Sequence, residues 1–190
     1  MLDDQSRMTL QNARVLFVCE GSCERIIIET LLAADRLVID ESATIRDTIT
    51  DRPTTNCRAA KTIQDVFLGL DYEQPVAIVR ILDSRKEQFR LSYPYSETVP
   101  VFNCYTRPEI EMLAIIKEDE LSKYNRRAKN KARPSEFCKK TLGMGRIKNE
   151  AFLRGYWSDA DELCHCLLEY RRIHKPEQKD ELTIADLLKQ

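Results

Sequence analysis

The run Val15-Leu16-Phe17-Val18-Cys19-Glu20-Gly21 restricts the fold of this chain more than any other stretch. Consecutive apolar residues of β-prone type, stopped by a carboxylate and a glycine, describe a strand buried on both faces. Such strands belong at the centre of a parallel sheet. The next residues read as a helix over 24–34, with Ile27, Leu31 and Ala34 on one face and Ile28 and Leu32 beside it. Gly21 permits a positive φ or a close backbone approach, and Ser22 is the expected helix cap. Glu20 then stands at the carboxyl end of a central strand, where open α/β sheets place their ligands.

Further along, residues 76–82 form a second apolar run, and it too ends in an acid, Asp83. Residues 1–13 read as a loose start. Two short β-prone runs, 37–39 and 44–49, compete for the role of second strand, and 51–56 reads as a loop. Helical spacing is expected over 57–70, one helical turn over 86–91 and a short strand over 99–102. Thr106-Arg107-Pro108-Glu109 then signals a helix start, with Thr106 as cap. From residue 110 onward the chain reads as helical, with breaks at Pro134, Gly143 to Gly145, Gly155 and Pro176. Strands alternating with helices predict an α/β fold of three layers around a mostly parallel sheet. The core is expected over 1–120, and a basic helical extension over 121–190 is expected to pack on the same domain.

Composition narrows the class of protein. A hydrophobic content of 43% supports a real core, and no apolar run approaches the ~18 residues of a membrane span. The N-terminus starts acidic without an apolar signal region, so export is not expected. Seven cysteines without a repeating spacing fit a reducing cytoplasm better than a disulfide framework. Cys19 and Cys23 have no second cysteine pair to complete a zinc site, and Cys164-His165-Cys166 is too tightly spaced for one. Core burial is the expected role of these thiols. His165 and His174 have no nucleophile setting beside them.

The net charge is −1, but it is unevenly spread. Between Lys123 and Lys148 ten basic residues face a single acid, Glu136. That block is either a surface for a polyanion or a solvated helix face. Its expected nucleic-acid contacts are Lys123, Arg126, Arg127, Lys129, Lys131, Arg133, Lys139 and Lys140. The tail interleaves the aromatics Tyr124, Phe137, Phe152, Tyr156 and Trp157 with its charges, a mixture that can stack bases, but Phe152 and Trp157 are expected in the core.

Parallel connectivity gathers the carboxyl ends of the strands on one edge. Glu20, Asp83 and Glu111, early in the following helix, can therefore converge there. Hard oxygen ligands of this kind suit Mg²⁺ or Mn²⁺, which bridge to phosphate oxygens. Taken singly, each acid is equally a strand-end or helix-cap residue.

Three segments carry a family resemblance: Cys19-Glu20-Gly21-Ser22-Cys23-Glu24, Leu82-Asp83-Ser84-Arg85 and Pro108-Glu109-Ile110-Glu111-Met112-Leu113. Together they resemble Toprim-type domains, found in topoisomerases, primases and OLD-type nucleases, and above all the RloB-like Toprim proteins of prokaryotes. Tyr124 with Lys129 and Lys131 echoes a basic segment of that family, and the resemblance spans about residues 14–140. It implies a Toprim-like fold, Mg²⁺ (or Mn²⁺) dependence, phosphodiester chemistry on nucleic acid and a role in phage defence. It also implies Glu20 as general acid or base, Asp83 as metal ligand, and Glu24 and Glu111 as further ligands or orienting groups. One position departs from the family. Its second strand-end aspartate is Arg85 here, which either contacts phosphate directly in a one-metal site or marks a weakened one. The expectation is thus a metal-dependent nuclease with Glu20, Asp83 and Arg85 at its centre. Its alternatives are a nucleic-acid- or partner-binding module with a degenerate metal site, and an assembly partner of a defence ATPase.

Overall fold

β1 (Arg14–Cys19) is the strand around which the sheet is built, as its uninterrupted apolar run requires. The computed structural model of the chain describes residues 2–107, 109–128, 133–174 and 181–189. Before β1 lies α1 (Asp4–Gln11), where a loose start was expected. Asp3 caps it through Ser6 N–H at 2.7 Å, and Leu10 is fully buried. After β1 come α2 (Ser22–Ala33) and a 3₁₀ turn at Glu41–Ala43.

β2 is the two-residue strand Thr54–Thr55, inside the stretch that composition marks as a loop. Neither expected run is the second strand. Leu37 makes an isolated antiparallel bridge to Leu188, and Thr44 an isolated parallel bridge to Val15. A two-residue strand is too short for any periodicity to register, which is why β2 escaped the sequence.

The next helical segment begins as α3 (Ala60–Ile63) and continues in a π-helical turn, Gln64–Leu68. β3 (Val76–Leu82) has the expected bounds. No helical turn forms at 86–91, and the short α4 (Tyr95–Thr98) follows instead. β4 (Val101–Tyr105) begins two residues later than expected. Then come α5 (Met112–Lys117), α6 (Leu121–Ala128), α7 (Pro134–Lys140), α8 (Glu150–Tyr156), α9 (Ala160–Ile173) and a closing 3₁₀ turn, Ile184–Leu187. Thr106 does not cap α5: it is buried, and its N–H and hydroxyl both donate to Leu82 O. Gly155 lies inside α8 rather than breaking it.

The four strands are all parallel, in the order β2-β1-β3-β4. Residues alternate between faces, so β1 and β3 feed two hydrophobic clusters. Val15, Phe17, Cys19, Ala77, Val79 and Ile81 pack with α2, α5 and α9. Leu16, Val18 and Ile78 pack on the other face against Ile63, Phe67 and Leu68. Each such side chain, buried outright, contributes roughly 1.5–3 kcal/mol. The basic tail belongs to the first cluster through Tyr124, Phe137, Leu153, Trp157 and Leu163, so it shares a core with β1. The edge of β4 is covered by the C-terminal segment, where Tyr105 N–H donates to Leu182 O at 2.8 Å. No helix among the described residues is long and apolar enough to cross a membrane.

Candidate functional site

The strand order reverses at β1. From β1 the chain passes over one face through α2 to β2, then returns over the other face through α3 to β3. A crevice opens at the carboxyl ends of the two strands that flank such a reversal. Glu20 follows β1 and Asp83 follows β3, so the topology sets these two acids at its mouth. The ladder continues one residue past β1, since Glu20 N–H donates to Ile81 O at 3.2 Å. Asp83 N–H in turn donates to Glu20 Oε2 at 2.9 Å.

Around this pair lies a cleft of ≈ 470 Å³ whose lining includes Glu20, Glu24, Asp83, Glu109, Glu111, Arg133 and Lys148. Five carboxylates there face two cations. Glu24 sits in the first turn of α2 and is buried. Its Oε2 lies 2.8 Å from where a Cβ on Gly21 would be. Gly21, with φ −136°, is therefore needed for close approach and not for a left-handed turn. It is also the N-cap of α2, without a side-chain cap bond, so Ser22 does not have the expected capping role.

The remaining lining comes from the segments after β4 and in the tail. Thr106 laces the loop after β4 onto the end of β3, which brings Glu109 and Glu111 to the cleft. Glu109 accepts the N–H of Ser135 in the first turn of α7 at 2.8 Å. Glu111 is buried, with Lys148 Nζ 3.8 Å from its Oε1.

Crowding of like charge shows in the titration of these groups. Burial, then a hydrogen bond to Glu20 and the negative charge of Glu20, raise the Asp83 carboxyl above its ordinary range. Burial works the same way on Glu20, but hydrogen bonds from the Asp83 backbone and side chain and from Arg58 prevail and lower it. Burial raises Glu24 as well, aided by the charges of Glu111, Asp83 and Glu20.

Of the expected site residues, the structure brings together Glu20, Asp83, Glu24 and Glu111, and it adds Arg133. Arg85 is not among the residues lining the cleft. Its guanidinium pairs with the buried Glu181 and lies 5.9 Å from the Tyr105 ring centre. Lys123 pairs with Glu120 at 3.0 Å and Lys140 with Glu136 at 3.6 Å, while Arg126 and Lys139 are exposed. Pro108, Lys129 and Lys131 lie outside the described residues, as does the side chain of Arg127.

Among the charged residues at the cleft, Glu109 and Arg58 escaped the sequence as site residues, while Lys148 lies at the end of the basic block. Glu109 was visible as a neighbour of Glu111, whereas Arg58 depended on knowing that β2 lies beside β1. Cys19 and Cys166 are buried and Cys23 and Cys164 partly so, all as free thiols. Trp157 is buried, and Phe152 packs against the core.

The cleft suits a hard divalent cation in its chemistry: five carboxylates in excess of the local positive charge, with the Cys23 thiol, which burial and the neighbouring acids keep protonated, beside them. It is not a closed cage, because no three His, Cys, Asp or Glu side chains among the described residues are arranged to hold a metal. Mg²⁺ does not require one. It is commonly held by one or two carboxylates, with waters and substrate phosphates filling the rest. Comparison with protein-family models, curated proteins and solved structures returned no match to this chain.

Proposed function

We propose that this chain is a Toprim-like, metal-dependent phosphodiesterase acting on nucleic acid. The reading rests on the meeting of Glu20 and Asp83 at the mouth of the crevice between β1 and β3. The resemblance of the segments around Glu20, Asp83 and Glu111 to RloB-like Toprim proteins supports it. Glu20 and Asp83 would hold the Mg²⁺ or Mn²⁺, with Glu24 and Glu111 close by. The ion supplies electrophilic activation of a phosphoryl oxygen and neutralises developing charge.

The chain's own groups have distinct tasks. Arg133 and Lys148, on the tail side of the cleft, oppose the charge of the bound phosphodiester. Attack by water forms a new P–O bond and breaks one ester P–O bond. The proton lost by the water goes to Glu20, and the departing oxygen takes up a proton from solvent. Exposed Arg126 and Lys139 extend the positive surface to a longer strand. A phage-defence role belongs to the same reading; assembly with a defence ATPase is a separate one, which predicts co-purification with a larger subunit and neither cleavage nor nucleic-acid binding.

The test is cleavage of labelled DNA and RNA with Mg²⁺ or Mn²⁺. Glu20→Gln and Asp83→Asn are each expected to lower the rate by roughly 10²-fold or more, with unchanged circular dichroism. A second reading is favoured by Arg85, whose guanidinium pairs with Glu181, and by the open donor set. It is a nucleic-acid-binding module without turnover. Salt-sensitive binding with no product at any metal concentration would establish it over the enzyme.

A further inference from the structure

Arg58 follows β2 and precedes α3, at the flank of the cleft. Its Nη1 lies 2.5 Å from Glu20 Oε1 and 3.7 Å from Glu87 Oε2. Glu87 is held from its other side by Arg80, whose Nη2 is 3.1 Å from Glu87 Oε1. Arg80 is itself buried on β3. Its guanidinium stacks 4.3 Å over the ring of Phe89 and donates to Asn103 Oδ1 at 3.2 Å.

The two arginines differ in freedom. Arg80 is walled in by the sheet and Phe89, so Glu87 is a fixed negative pole. Arg58 is 42% exposed on a long, flexible stem and stands between that pole and Glu20. Glu20 thus has two possible counter-charges, and they exclude each other. A cation bound at Glu20 and Asp83 would meet the guanidinium at van der Waals range, where like charges repel.

We propose that Arg58 is a built-in competitor for the divalent cation: it neutralises Glu20 in the empty cleft and swings to Glu87 when the ion binds. This rests on the metal-dependent reading above. It makes Arg58 a positioning residue that sets the metal affinity, and Glu87 the acceptor that makes its release inexpensive. The displaced guanidinium stays at the cleft rim, within reach of a substrate phosphate.

The experiment is Mn²⁺ binding to the full-length chain, read by electron paramagnetic resonance or calorimetry without substrate. Arg58→Gln is expected to tighten Mn²⁺ binding roughly fivefold, the size of removing one half-exposed counter-charge. Arg58→Lys restores an affinity near that of the unaltered chain. Glu87→Gln weakens binding, because Arg58 loses its alternative partner. In the Arg58→Gln background, Glu87→Gln has no further effect, since Glu87 acts only through Arg58. Asp83→Asn is the control for the metal site itself.

If Asp83→Asn abolishes Mn²⁺ binding while Arg58→Gln leaves it unchanged or weaker, the competitor role is overturned and the metal site stands. If neither the unaltered chain nor Arg58→Gln binds Mn²⁺, both fall. A merely structural Arg58 would lower the melting temperature of Arg58→Gln without tightening the ion. Glu87→Gln carries the test should Arg58→Gln fold poorly: unchanged Mn²⁺ affinity in Glu87→Gln overturns the competitor role.

Discussion

Gly21 and Glu24 show how closely single atoms are set in this cleft. A Cβ at position 21 would press on Glu24 Oε2 at 2.8 Å, the far end of a flexible side chain and not backbone. Gly21→Ala is therefore expected to cost less than about 1 kcal/mol in denaturant unfolding. The same change should displace the Glu24 carboxylate and alter Mn²⁺ affinity, which calorimetry checks. Glu24 makes a pH prediction with a definite sign. Burial first, then neighbouring acids, raise its folded-state pKa above the ordinary 4.5. The folded state then binds more protons than the unfolded one just above pH 4.5. This contribution to stability is present below pH 4.5 and is lost as pH rises through the raised value. Glu24→Gln, uncharged throughout, should melt higher than the unaltered chain at neutral pH, with the gap closing on acidification.

At the scale of elements, the tail from α6 to α8 has two roles in one stretch. Its apolar side, Tyr124, Phe137, Leu153 and Trp157, is core, with the rings of Tyr124 and Phe137 edge to face at 5.4 Å. Its basic side divides between local ion pairs and the cleft. Lys123 pairs with Glu120 just before α6 and Lys140 with Glu136 on α7, whereas Arg133 and Lys148 line the cleft. The prediction separates them. Arg133→Ala and Lys148→Ala should each weaken nucleic-acid binding and reduce the salt slope by about one, measured by titration at several salt concentrations. Lys140→Ala should change little, because an exposed pair contributes at most about 1 kcal/mol. Charge counting showed that the block was one-sided. It could not separate its members, because that depends on which helix face meets the acids.

For the whole molecule, the C-terminal segment is a closing strap. Leu182 pairs beside Cys104 on β4, while Leu188 bridges to Leu37 and Val38 N–H donates to Leu187 O at 2.8 Å. Leu187 is fully buried, so Leu187→Ala is expected to cost roughly 2–5 kcal/mol in denaturant unfolding. Arg85 also ties its loop to this strap through Glu181. Arg85 thus has a packing partner, which no local reading of Leu82-Asp83-Ser84-Arg85 could reveal. Its partner is 96 residues away in sequence.

Local chemistry was enough for β1, α2 and β3, for a parallel sheet, and for Glu20 and Asp83 at one edge. Long apolar runs and the acids that end them carry their meaning within a few residues. Tertiary structure alone decided the rest: that Thr54–Thr55 is the strand beside β1, that Arg58 reaches Glu20, and that Arg85 turns to Glu181. These depend on contacts between segments far apart in the chain. No spacing within a segment encodes them, because they arise only once the core has set which ends of the chain meet.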